Sequence, residues 1–320
     1  MRIVISICLL LMMVVSAGAD PLLSWREGAT KEAILDWVAS ITNSASADFI
    51  PVRDRVAVFD NDGTSWCERP GFASAEFQAS LLGSLAAGGK IDGEAMPYKA
   101  WITNDRGALR KYGMSLAYRE MNAAFAGMPV AAYRDSARAW LDRTHHERYG
   151  VRHTELYYLA MLELQQLLKT HDFQVWIVTG AAQGFVRSYT EDVLGIPPGH
   201  VIGSWTQPVY HEIEGQSVLV RGDVQNYNGH ENKPAAIETR IGKRPVFAAG
   251  NSNNDQPMMR WAVTGSYRAL GLWVHHDDKG REYDYDRGTG KIADLVKKNP
   301  GAFEVSIKDD WARVFACDKP

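Results

Sequence analysis

Val56-Ala57-Val58-Phe59 is a four-residue apolar run that leads straight into Asp60-Asn61-Asp62-Gly63-Thr64. A run so short and apolar reads as a strand buried on both faces, the pattern of a parallel sheet covered by helices. Ligands bind at the carboxyl ends of the strands in open α/β sheets. Two aspartates at i and i+2 there repel each other unless a cation neutralises them, so one stretch predicts both a fold class and a charged site. Alone, Asn-Asp-Gly-Thr is also a good turn after any strand.

Three more segments follow in order. Val175-Trp176-Ile177-Val178-Thr179-Gly180 is a second apolar strand, ending in a hydroxyl and a bare backbone N–H that can both meet a phosphoryl oxygen. Lys233 stands in a polar loop, Gly229 to Lys233, before an expected helix start at Pro234. Pro245 to Ala249 forms another strand, and Gly250-Asn251-Ser252-Asn253-Asn254-Asp255 is a polar turn into a helix from Gln256 to Trp261.

Over residues 55 to 275 this series resembles the haloacid dehalogenase superfamily of phosphatases: Asp-x-Asp-Gly-Thr, a strand with Ser or Thr, Lys, then Gly-Asp/Asn-x-x-x-Asp. The long insert between the first two motifs makes the chain most similar to the phosphoserine phosphatase and secreted phosphorylcholine phosphatase branches. The fold implied is α/β, a Rossmann-like, mostly parallel sheet with an inserted helical cap.

Phosphoryl transfer needs an in-line nucleophile, neutralised equatorial oxygens and an acid for the leaving oxygen. Asp60, at the strand end, is the natural nucleophile, forming an aspartyl-phosphate that water later hydrolyses. Asp62 lies past the strand end, where it protonates the leaving alkoxide and then deprotonates the attacking water. Lys233 is the point charge against Asp60 and the phosphoryl oxygens, and the Lys-Pro step fits the resemblance better than Lys243 does. Thr179 and the Gly180 N–H are the phosphate donors. The resemblance implies magnesium held by the Asp60 carboxylate, the Asp62 backbone carbonyl and a ligand from the last motif. Asn251 stands where many relatives place an aspartate, and Asn253 is a further amide. Either Asp255 binds the ion directly, or it orients a metal-bound water while the Asn251 oxygen coordinates. Asp62 argues against relatives that cleave carbon–halogen bonds and against ion pumps, which leaves hydrolysis of a small phosphate ester. The alternatives are a phosphotransferase or mutase using the same aspartates, and a secreted binding protein with a degenerate metal site.

Met1-Arg2, the apolar run from Ile3 to Val15 and Ser16-Ala17-Gly18-Ala19 read as a cleavable signal peptide over residues 1–19. The expected location is the periplasm or outside the cell, with no membrane span in the mature form. A net charge of −3 without blocks of like charge offers nothing to nucleic acid. Cys67 and Cys317 form either a disulfide or two buried thiols. Residues 20–54 read as a helical leader with Thr30 as N-cap, 55–65 and 171–320 as the core, and 66–170 as the cap, on helical spacings such as Phe77, Leu81, Leu82, Leu85 and Leu156, Leu159, Ala160, Leu164. Trp66 and Glu68, at the hinge, either touch substrate or pack and solvate. Tyr98, Trp101, Tyr112, Tyr118, Tyr133 and Trp140 form either a cage for a quaternary amine or ordinary core. Arg106, Arg110 and Arg119 bind a substrate carboxylate or lie on the surface. Ile202 to Arg221 reads as a hairpin about Glu214-Gly215, and Leu270 to Val274 as a strand with His275-His276-Asp277-Asp278 in a rim loop.

Overall fold

A computed structural model describes residues 20–317, so the expected signal peptide lies outside the described residues. Eight strands make one sheet: β1 (Val56–Phe59), β2 (Gln174–Ala182), β3 (Val201–Ile213), β4 (Gln216–Asn226), β5 (Phe247–Gly250), β6 (Leu270–Asp277), β7 (Asp284–Tyr285) and β8 (Ala302–Ser306). They run in the order β4-β3-β2-β1-β5-β6-β7, with β8 also on β6. Only β3–β4 and β6–β7 are antiparallel. β1 is buried along its whole length and feeds two cores: Ala57 and Phe59 belong to one, Val56 and Val58 to the other. That alternation is the period of two that places successive side chains on opposite faces. β2 and β3 add to one side of β1 while β5 and β6 add to the other, and the crevice at such a reversal opens at the carboxyl ends of the strands.

The helix Ala29–Thr42 begins after Gly28, so Thr30 lies inside its first turn and is not the cap. Trp37 anchors it, donating to the Arg268 carbonyl at 2.8 Å and packing on Phe173 and Phe247. Between β1 and β2 the chain forms the helices Ala73–Ala87, Tyr98–Ile102, Arg106–Tyr112, Met114–Ala123, Val130–Arg143 and Leu159–Thr170. The last also packs against β2, and Trp25 donates to its Ala160 carbonyl. Tyr133 and Trp140 are buried against Phe77, so these two aromatics are core. Arg106, Arg110 and Arg119 are exposed.

The hairpin pairs Ile213 with Gln216 across Glu214 and Gly215, whose φ values of 51° and 76° are the two left-handed positions a tight right-twisting turn requires. β6 runs further than its apolar core. His276 and Asp277 are held in it by antiparallel pairing to β7, so both histidines lie in a strand and not in a rim loop. Cys67 and Cys317 are not bridged; the Cys67 thiol is buried and donates to Glu282 Oε1 at 3.2 Å. Among the described residues no helix is long and apolar enough to cross a membrane.

Candidate active site

Asp60 extends β1 by one ladder bond, its N–H donating to the Ala249 carbonyl of β5 at 2.9 Å. The chain then turns sharply. The Asn61 carbonyl accepts from the N–H groups of Thr64, Ser65 and Trp66, and Gly63 adopts φ +74°. A side chain at Gly63 is excluded twice, by that dihedral and by the Asn251 amide, whose Nδ2 lies 2.0 Å from where a Cβ would stand. Trp66 folds back over the turn, donating to Asp62 Oδ1 at 2.8 Å and stacking on Tyr189 at 4.6 Å. Tyr189 in turn donates to Asn61 Oδ1. The acid is therefore clamped from the cap side, and Trp66 acts through Asp62. Thr179, fully buried within β2, points its hydroxyl at Asp62 Oδ2 across 3.5 Å and accepts from the Ala181 N–H at 2.9 Å. Gly180 follows it, with the half-exposed Tyr227 ring above.

Lys233 is not in a polar loop. The helix Asn232–Ile241 starts before Pro234, which puts Lys233 in the first turn with no exposed surface. Its Nζ donates to Asp60 Oδ1 at 2.5 Å, Asp255 Oδ1 at 2.6 Å and the Val178 carbonyl at 2.8 Å, which uses all three protons of an ammonium. Burial alone pulls such a group down, yet Asp255 and Asp60 outweigh it and hold the ammonium above the usual lysine value. Burial, joined by Asp255, pushes the Asp60 carboxyl well above its ordinary range despite Lys233. Burial likewise raises Asp62, opposed by the Trp66 bond.

The last turn separates its polar residues. Asp255 folds back under Gly250, which must lack a side chain because a Cβ there would meet the Asp255 Cβ at 2.2 Å. With Oδ1 on Lys233, Asp255 Oδ2 accepts from the Asn251 and Ser252 N–H groups and the Ser252 hydroxyl. Both of its oxygens are committed within the protein. Asn253 faces away, accepting from the Lys291 and Ile292 N–H groups at the start of the helix Gly290–Lys298. Asn254 accepts from the His230 N–H. Asn251 alone turns its side chain to the Asp62–Gly63 turn.

Two groups that the sequence placed at the hinge and in a rim loop prove to be buried beside the Asp62–Gly63 turn. His276, 1% exposed, sits between Glu282 Oε2 at 2.9 Å and the Gly63 carbonyl at 2.8 Å and pins the turn from behind. Glu68 is buried beside the same turn, and burial pushes its carboxyl up to about 7 against the pull of His276. Among the described residues no three His, Cys, Asp or Glu side chains form a ready metal cage.

Acids delivered to the carboxyl edge of a doubly wound α/β sheet, with one buried ammonium between Asp60 and Asp255, make a charged site where such sheets bind their ligands. The model of the haloacid dehalogenase-like hydrolases matches residues 57–260, more than half of the chain, and the chain belongs to that family. No curated protein matches the sequence. Among solved structures, a protein of unknown function from Bordetella pertussis Tohama I is 12% identical with a TM-score of 0.50, over 79% of this chain and 98% of that one. One from Anaerococcus prevotii DSM 20548 is 13% identical with a TM-score of 0.52, over 84% and 88%. A phosphoserine phosphohydrolase-like protein from Francisella tularensis subsp. tularensis SCHU S4 is 15% identical with a TM-score of 0.40, over 76% and 99%. At 12% and 13% identity the likeness to the first two is one of fold.

Proposed function

We propose that this hydrolase is a magnesium-dependent phosphomonoesterase that works through an aspartyl-phosphate at Asp60. The observation that carries the reading is the convergence of Asp60, Asp62, Thr179 and Lys233 from three separate segments onto the carboxyl-terminal side of β1 and β2. Lys233 holds Oδ1 of Asp60, which leaves Oδ2 to attack phosphorus in line with the leaving alkoxide. The new bond is Oδ2–P, the broken one is P–O of the ester, and Asp62 gives its proton to the departing oxygen. Water then attacks the aspartyl-phosphate, and Asp62 takes its proton, so inorganic phosphate leaves and both carboxyls return to their starting state. The raised pKa of Asp62 favours the protonated form that the first step needs. Thr179 and the Gly180 N–H orient the transferring group.

A divalent cation fits the donor set and the charge. Two buried carboxylates, Asp60 and Asp255, share a single buried ammonium, an imbalance costly to maintain without further positive charge. The Asp62 carbonyl accepts no hydrogen bond among the described residues, and with Asp60 and the Asn251 oxygen it makes an all-oxygen set of the kind magnesium prefers. Bound there, magnesium supplies positive charge to the equatorial oxygens. Asp255 in this reading orients Lys233 and the turn and is not a direct ligand. We take the substrate to be a small phosphate ester met outside the cytoplasm, the location resting on the amino-terminal sequence.

The test is release of p-nitrophenol from p-nitrophenyl phosphate by the mature protein, with magnesium and with chelator. Metal-dependent release is expected, and its absence with every divalent cation would sink the reading. Asp62→Asn is expected to slow alkyl phosphates by roughly 10²–10⁴-fold and activated aryl phosphates far less. Equal losses on both would remove Asp62 from the acid role.

A further inference from the structure

Asn251 is the amide of the last motif that faces the Asp62–Gly63 turn, and a buried carboxylate, Glu68, lies beside it. The Asn251 side chain is 3% exposed, lies across Gly63 and makes no hydrogen bond among the described residues. Aimed at that same face of Gly63 is Glu68: from the point where a Gly63 Cβ would stand, the Asn251 Cγ is 2.7 Å away and the Glu68 Cδ 3.0 Å. Glu68 is only 8% exposed. The Arg69 guanidinium is 3.9 Å from it and partly solvated, and the Tyr285 hydroxyl lies alongside. His276, the other basic group at hand, already has its two nitrogens on Glu282 and Gly63. A carboxylate so deeply buried is ordinarily closely paired or bound to a metal. Here the strongest partner still lacking is a cation on the Asp62–Gly63 turn.

We propose that Glu68 is the carboxylate that completes the divalent-cation site, standing in for an acid at position 251. The assignment rests on the phosphatase reading for the presence of the cation and adds a residue from the segment entering the cap. It explains how an amide is tolerated at 251: the negative charge has moved from the β5 turn to the hinge beside it, and the total at the site is kept. It also couples cation binding to the cap, because Glu68 lies five residues before the first cap helix at Ala73.

The experiment is calorimetric titration of magnesium into the folded wild type, Glu68→Gln and the double variant Glu68→Gln/Asn251→Asp, with melting curves to confirm folding. Glu68→Gln is nearly isosteric and is expected to weaken magnesium binding by roughly 10–100-fold. Asn251→Asp in that background is expected to bring the affinity back to within a few-fold of wild type. Unchanged affinity in Glu68→Gln would overturn the assignment while leaving the phosphatase reading intact. Weakened affinity that Asn251→Asp does not restore would also overturn it, since Glu68 would then support the turn without supplying the charge. No magnesium binding by the wild type would overturn both, and hydrolysis of p-nitrophenyl phosphate in chelator would identify that case separately.

Discussion

Asp60→Asn is expected to abolish turnover of p-nitrophenyl phosphate, by roughly 10⁴-fold or more, while leaving the protein folded. The amide cannot form the aspartyl-phosphate, so covalent labelling by a radioactive phosphate ester and catalysis should disappear together. The substitution changes no volume at a site that is 5% exposed, and it relieves a charge that burial and Asp255 already disfavour. Its melting temperature in chelator should therefore match or exceed that of the wild type, which separates loss of the nucleophile from loss of the fold. Turnover surviving above a trace in a labelling-negative variant would assign the covalent step elsewhere.

What the sequence disclosed here was local. The apolar run of β1, the strand carrying Thr179 and the turn after Gly250 announce themselves because burial on both faces and glycine at a forced dihedral leave marks within a few residues. The hairpin at Glu214-Gly215 was legible for the same reason. The misreadings come from contacts distant in sequence. Lys233 looks like a loop lysine until Asp60, 173 residues away, and Asp255 are seen to draw it into a buried helix turn. His276 looks like part of a polar rim because the strand that buries it, β7, lies beyond an intervening loop. Cys67 and Cys317 left a disulfide or two buried thiols open; Cys67 is a buried thiol on Glu282 and Cys317 is exposed. Asn251, Asn253 and Asn254 are indistinguishable by composition, yet one faces the Asp62–Gly63 turn, one caps a helix and one braces the His230 backbone. Local chemistry named the turn, and only the fold could divide its labour.

Lys233→Met tests that division most severely. Among the described residues the ammonium is the close ionic partner shared by Asp60 and Asp255, and all three side chains are buried. Removing one member of such a group leaves charge uncompensated in a low-dielectric interior, a loss of about 3–5 kcal/mol. Activity should fall with it, because Asp60 loses the contact that fixes Oδ1 and the transferring phosphoryl loses its counter-charge. The pH dependence carries the sign of the cause. Burial already holds the Asp60 carboxyl above its ordinary range with Lys233 in place, and without the ammonium nothing opposes that rise, so the native state binds more protons there than the unfolded one. Stability then falls as pH rises from the unfolded carboxylate value through the native one, and is fully kept only below that window. The gap between wild type and variant in urea unfolding should accordingly be smaller at pH 5 than at pH 7.5. Lys233→Arg should not rescue, since a planar guanidinium cannot place three donors tetrahedrally in a pocket with no exposed surface. A Met variant as stable as wild type at pH 7.5 would mean that Asp60 and Asp255 do not need the ammonium, and the charge argument for the cation would fall with it.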